Sequence, residues 1–337
     1  MRKSGVVPLL MLVAVALPGP NAVADAPAWS PDESWAIRDE AWVDGSGTVH
    51  ATVDAFLAYP DDVAGTDTLV VMAHGYTHNA TGSWWPHMEQ VVAHGAAALA
   101  MDFRDNNGFP VLRGAQDMND ATAEALDRLE AAGFEIDRVI AFGVSMGGAV
   151  SGTAVAEAPG LYDLWFNVEG VTVLYETWAE ASAALPAAAA AIERDTGCSF
   201  AVCPQEFLRR SPAHRAGDMV DGGLTAAYTI HAAYDGLVPY DQGAQMAVAA
   251  AAAGLPHQLV TVLRGEEGTD QDTTPGSHAL GKENEVEALH GLSGHGTESD
   301  ASQAVMATAF DLLWDVLDGQ APPSSGLELA IADRDLA

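Results

Sequence analysis

Arg138 to Ala154 reads RVIAFGVSMGGAVSGTA, and the placement of its glycines decides the fold. Val139 to Phe142 is a short apolar run of strand character. Gly143-Val144-Ser145-Met146-Gly147 follows, and then small residues able to start a helix. A G-x-S-x-G carries meaning only in this strand-to-helix setting. The serine of such a turn sits in strained backbone, and bulky side chains two residues away would clash, so glycine stands there. Ser145 is therefore expected to raise its hydroxyl clear of a sheet. The Met146 N–H faces the same point from the positive end of the helix that follows.

On the N-terminal side, Trp35 to Val43 and Thr48 to Ala58 alternate apolar and polar residues, the pattern of an antiparallel pair opening a sheet. Asp67 to Ala73 is a buried strand ending at His74-Gly75-Tyr76. A helix over Trp84 to His94 leads to a strand over Ala96 to Phe103, and a second helix spans Gln116 to Ala132. On the C-terminal side, Leu164 to Val171 is the sixth strand. From Thr172 to Gly223 the pattern turns to alanine-rich helical segments without strand signal, which predicts a helical cap inserted after that strand. Strands resume at Leu224 to Tyr234 and His257 to Arg264, with helices over Tyr240 to Ala253 and Ala301 to Leu317. Strands alternating with helices predict an α/β, doubly wound, mostly parallel sheet with helices on both faces. In such sheets ligands bind beyond the carboxyl ends of the strands, and Ser145, His74 and Asp235 all follow predicted strands.

The expected organisation is a signal peptide over residues 1–24, one domain over 25–318 carrying the cap at 172–223, and a flexible tail over 319–337. The leader has Arg2 and Lys3, an apolar stretch from Val6 to Leu17 too short to span a bilayer, and a small-x-small cleavage site at Ala22-Val23-Ala24. This predicts secretion. Cys198 and Cys203, the only cysteines, then read as a small disulfide loop, and two thiols are too few for a zinc site. The net charge is −33, with Lys3 and Lys282 the only lysines. Such a surface repels nucleic acid and anionic membranes and matches proteins of salt-loving organisms, in which salt screens dense carboxylates.

A serine hydroxyl needs a base, and the base needs an acid to orient it. Asp235, in Ala233-Tyr234-Asp235-Gly236-Leu237, follows a predicted strand and is the expected acid. The base should follow the last strand, where His278, His290 and His295 all qualify. His295 lies nearest the terminal helix between Gly294 and Gly296 and is the expected choice, with the other two open. The stretch from Glu266 to Glu298 also holds Glu267, Asp270 and Asp272, without the order of a calcium-binding loop, and reads as solvated. The backbone N–H groups of Met146 and Tyr76 are the expected oxyanion donors. The Tyr76 side chain with Trp84 or Trp85 is placed in the acyl pocket, whereas His74 and His231 read as structural.

These motifs together resemble the α/β-hydrolase superfamily from about Thr68 to Leu317. The residues that carry the resemblance are His74-Gly75, Gly143 to Gly147, Asp235 before Val238-Pro239, and Gly294-His295-Gly296. Arg210-Ser211-Pro212 followed by Asp235 to Gln242 is similar to the catalytic part of the esterase, dienelactone-hydrolase and prolyl-oligopeptidase branches. Gly75-Tyr76-Thr77 with Trp84-Trp85-Pro86 and Ser145-Met146 resembles cutinase-like polyester hydrolases. The resemblance implies a serine hydrolase acting on a small or polymeric ester, with a peptidase or amidase as the alternative, and no metal or organic cofactor.

Overall fold

The computed structural model describes residues 29–38, 42–43, 49–50, 53–233, 235, 237–264, 295, 300–324 and 326–334. The chain divides into Met1–Ser30 and Pro31–Ala337, and the second unit holds every element below. Apart from residues 29 and 30 the first unit, with the expected leader, lies outside the described residues.

Each of the alternating N-terminal segments holds two described strands. β1 (Glu33–Arg38) pairs antiparallel with β4 (Val53–Ala58), with an irregularity between Ala36 and Arg38. β2 (Trp42–Val43) and β3 (Val49–His50) form a separate two-stranded ribbon.

Nine strands make the main sheet: β1, β4, β5 (Thr68–Ala73), β6 (Ala97–Met101), β7 (Arg138–Val144), β8 (Leu164–Val168), β9 (Ala226–Ala232), β10 (His257–Arg264) and β11 (Leu327–Arg334). Their spatial order is β1-β4-β6-β5-β7-β8-β9-β10-β11, and every pair from β6 onward is parallel. β5, β6 and β8 are buried at every position, as strands covered on both faces must be.

Helices cover both faces. α1 (Ala80–Ala93) and α9 (Asp300–Leu317) share one face, where His87 stacks on Phe310 at 4.7 Å and His94 on Trp314 at 3.8 Å. Phe142 of β7 meets that layer, 5.2 Å from Phe310. α2 (Val111–Ala132), α3 (Met146–Glu157) and α8 (Asp241–Ala253) lie on the other. α3 is buried from Met146 to Ala156, which its run of small residues permits: Gly114 of α2 sits so close that a Cβ there would meet Val150 at 3.3 Å. Each large apolar side chain removed from water in these layers contributes about 1.5–3 kcal/mol.

Between β8 and β9 run α4 (Leu174–Ala184), α5 (Pro186–Thr196), α6 (Pro204–Arg209), a 3-10 turn at Pro212–Arg215 and α7 (Ala216–Asp221). The segment has two parts. α4 and α5 present Ala181, Ala188 and Ala189 to Tyr76, in the loop after β5. The 3-10 turn and α7 pack on α3 and α8 and so complete the crossover that two adjacent parallel strands require. The buried side chain of Asp195 ties the parts together: it pairs with Arg210 at 2.7 Å and with Arg113 of α2 at 3.6 Å. Cys198 and Cys203 are joined as a disulfide beside this joint.

The tail expectation needs correction. Leu327–Arg334 is β11, a parallel edge strand in register with β10 from His257↔Leu327 to Arg264↔Arg334. Leu329 and Ile331 remain 73% and 71% exposed, so main-chain pairing rather than side-chain burial places this strand. Among the described residues, no helix is long and apolar enough to cross a membrane.

Candidate active site

Sheet register brings four residues of the site together. Ala73 of β5 pairs with Gly143 of β7, Val144 with Val168 of β8, and Val168 with Ile230 of β9. The residues that follow these strands, His74, Ser145, Glu169 and Asp235, therefore share one rim. Ser145 N–H donates to Val168 O at 3.0 Å, and Glu169 N–H donates to Ile230 O at 2.8 Å, so the strand ends are fastened to one another.

Ser145 has φ 58° and ψ −123°, a backbone state strained for any residue with a Cβ. It stands at the start of α3 with its side chain partly exposed. The flanking glycines answer to main-chain obstacles. A Cβ at Gly143 would lie 2.2 Å from Gly147 O, and one at Gly147 would lie 2.1 Å from Ala73 O.

His295 Nε2 is 2.8 Å from Ser145 Oγ, and His295 Nδ1 is 2.7 Å from Asp235 Oδ2. A carboxylate only accepts, so Nδ1 carries the proton and Nε2 is left to accept from the hydroxyl. His295 and Asp235 are 3% and 2% exposed. Asp235 Oδ1 accepts from the Leu237 and Val238 N–H groups at 2.8 and 2.9 Å, which fixes the carboxylate plane. Burial by itself raises this carboxyl, but the facing imidazoles of His295 and His231 outweigh it and hold Asp235 below the usual carboxylate range. Of the three candidate histidines the structure brings His295 to Ser145, and His278 and His290 lie outside the described residues, as does the acidic stretch from Glu266 to Asp272.

Met146 opens α3, with its side chain fully buried. The loop after β5 comes close to Ser145: a Cβ at Gly75 would lie 3.4 Å from Ser145 Cβ. His78 N–H donates to Gly75 O at 3.2 Å, and Thr77 takes φ 62°, so the loop is a tight turn with Tyr76 at its bend. His74 anchors it from below. Its ring stacks on Phe103 at 4.4 Å, Nδ1–H donates to Gly75 O at 2.8 Å, and Nε2 is 3.2 Å from the Asn106 amide oxygen. Burial holds His74 below its ordinary pKa. His231 is likewise structural: Nε2–H donates to Val238 O at 2.9 Å and lies 3.4 Å from Asp235 Oδ2.

Two placements are corrected. Trp84 is 2% exposed and packs edge-on against Phe142 within the sheet–helix layer, and Trp85 packs edge-on against Phe56 of β4. Adjacent residues on a helix face about 100° apart, and both directions here lead into packing rather than to Ser145. Tyr76 instead borders the rim, 5.7 Å from Phe109, with the alanines of α4 and α5 and Trp178 against it.

Sequence reasoning missed Glu169. It is fully buried, has φ 47°, and places Oε2 3.9 Å from His295 Nδ1. A charged residue closing the apolar run Leu164 to Val168 was the available signal. The metal-ligating atoms of Glu169, Asp235 and His295 lie within 4.8 Å of one another. The His295–Asp235 hydrogen bond, with Nδ1–H donating at 2.7 Å, already engages two of the three.

A serine on a strained strand-to-helix turn, at the carboxyl edge of a mostly parallel sheet, defines the α/β hydrolases as a class. This chain belongs to the alpha/beta hydrolase family, whose description matches residues 70–308. No curated protein sequence matches it. Among solved structures it is similar to a thermophilic esterase of Thermogutta terrifontis with propionate bound, at 18% identity and a TM-score of 0.54, over 86% of this chain and 96% of that one. It is similar to the acylaminoacyl peptidase of Pyrococcus horikoshii at 15% identity and a TM-score of 0.52, over 68% of this chain and 36% of the other. A puromycin-hydrolyzing peptidase of Mycobacterium tuberculosis aligns at 15% identity and a TM-score of 0.55, over 89% of this chain and 41% of the other. The chain thus spans well under half the length of these peptidases, and the likeness establishes the fold.

Proposed function

We propose that this protein is a serine carboxylic-ester hydrolase that works through an acyl-enzyme. The observation that carries the reading is the continuous line from Ser145 Oγ through His295 to Asp235, at 2.8 and 2.7 Å. Ser145 attacks the ester carbonyl carbon while its proton passes to His295 Nε2. Asp235 keeps the imidazole in the tautomer that can accept it. The Met146 and Tyr76 N–H groups face the carbonyl oxygen as it gains negative charge. His295 returns the proton to the departing alcohol, and a water activated by the same imidazole then releases the acid.

Esters are favoured over amides by overall architecture: the esterase is matched along 96% of its length, the peptidases along 36% and 41%. The peptidase or amidase reading rests on those two neighbours. A short p-nitrophenyl ester and its matched anilide separate the two, with kcat/KM for the ester expected to exceed that for the anilide by about 10³-fold or more. A fluorophosphonate should label Ser145 and no other serine; failure to label removes the hydrolase reading altogether. Turnover of an insoluble polyester film would assign the polymeric substrate of the cutinase-like alternative.

We also propose export through residues 1–24 and adaptation to salt, both supported by the sequence. Mass spectrometry of the exported protein should place its first residue near Asp25. The melting temperature should rise with sodium chloride, because a charge of −33 repels itself most when screening is weakest. A flat curve would remove the salt reading.

A further inference from the structure

We propose that Glu169 is a second carboxylate for His295, a positioning residue that stabilises the imidazolium and takes over its orientation when Asp235 is lost. The inference rests on the proposed serine mechanism. It begins with topology: β8 lies between β7 and β9, so the first residue past β8 must stand between Ser145 and Asp235. That residue is a glutamate, fully buried. Its backbone is held at φ 47° with its N–H bonded to Ile230 O at 2.8 Å. Non-glycine residues take this state seldom, and strain of this kind persists where the surroundings over-determine it. A smaller apolar residue would fill the same space without bringing a carboxylate into the interior.

The geometry gives that carboxylate a task. Oε2 lies 3.9 Å from the His295 nitrogen that donates to Asp235 at 2.7 Å. At rest the His295 Nδ1–H donates to Asp235, and Glu169 stands beyond hydrogen-bond distance of that nitrogen. As the Ser145 proton reaches Nε2 the ring becomes cationic, with carboxylates at both 2.7 and 3.9 Å from Nδ1. Among the described residues, the charged or titratable groups facing the ring are Asp235 from the turn after β9, Glu169 just past β8, and His231 of β9 behind Asp235. Inside a buried site an opposite charge at this range favours the protonated ring substantially. A small rotation of His295 or Glu169 would close the gap to hydrogen-bond distance.

The test compares kcat/KM for a p-nitrophenyl ester across pH in the full-length native protein and its variants. Glu169→Gln should lower kcat/KM about tenfold and move the acidic limb of the profile to lower pH by about one unit. Glu169→Asp, which keeps the charge, should restore the limb. Asp235→Asn should lose only about 100-fold, less than the roughly 10⁴-fold expected where a lone acid orients the base. Asp235→Asn combined with Glu169→Gln should fall to the level of His295→Ala. An unmoved limb in Glu169→Gln, or a double variant no slower than Asp235→Asn, would overturn the proposal. Should Glu169→Gln not fold, Asp235→Asn decides alone: activity well above His295→Ala supports a second acid, and activity equal to it refutes one. If the native protein does not turn the ester over, or Ser145→Ala turns it over equally well, the serine mechanism has failed and not the role of Glu169.

Discussion

Ser145→Ala should lower kcat for a short p-nitrophenyl ester by about 10⁴- to 10⁶-fold, with an unchanged far-ultraviolet circular dichroism spectrum and little change in KM. The loss is large because the hydroxyl is the atom that forms the new bond. It is not total, since the donors at Met146 and Tyr76 would still polarise a bound carbonyl for slow attack by water. Structure should survive for a local reason. The Ser145 hydroxyl is partly exposed, and its one described partner is His295, on a segment outside the strands. The backbone bonds that hold the turn, Ser145 N–H to Val168 O and Val171 N–H to Ser145 O, do not involve the side chain. Alanine at φ 58° is no more strained than serine. A variant that keeps even a tenth of native turnover, with burst-phase labelling elsewhere, would mean another nucleophile does the chemistry. Titrating active sites with the fluorophosphonate before and after the substitution closes that route, because the label and the activity should disappear together.

The parts of this site that can be read in the sequence are those tied to strand ends. Ser145 and Asp235 stand one and three residues past runs whose strand character is plain, and parallel pairing brings such positions to one edge. His295 stays one of three in the sequence because the stretch before it has no periodicity, and without periodicity nothing sets which residue turns toward the sheet. Trp84 and Trp85 mislead because aromatic residues near a motif look like pocket walls. Only the helix phase tells that one faces Phe142 and the other Phe56. Glu169 escapes notice for another reason: the strand reading runs through it to Val171, so it passes as one more position of a strand, whereas the strand ends at Val168 and Glu169 is the first residue beyond it. The strand over Leu327–Arg334 is hidden by its preface of prolines, serines and glycine, which resembles a tail until a parallel neighbour is there to pair with it. The alternation in β4 and the continuous burial in β5, β6 and β8 are legible because burial on one or two faces leaves its period in the residues themselves.

Gly147→Ala should prevent the native fold or destabilise it by at least about 3 kcal/mol, although it adds one methyl group within a helix and alanine is the better helix former. The added Cβ would fall 2.1 Å from Ala73 O, 2.7 Å from the Ala73 carbonyl carbon and 2.7 Å from His74 O. All three are main chain, so no rotamer change relieves the contact. Ala73 ends β5 and is paired with Gly143 of β7, so relief requires parting the strands that carry the His74 loop and Ser145. Stability and site geometry are thus linked through one residue, and any Gly147→Ala protein that does fold should be nearly inactive. Gly217→Ala is the matched control. It lies in α7, where an added methyl would meet no neighbour within 4 Å, and should be neutral or stabilising by up to about 1 kcal/mol. Urea unfolding followed by tryptophan fluorescence measures both. Equal midpoints for Gly147→Ala and the native chain would show that α3 can slide away from β5, and with it that the close approach of strand and helix is not what sets the height of Ser145 above the sheet.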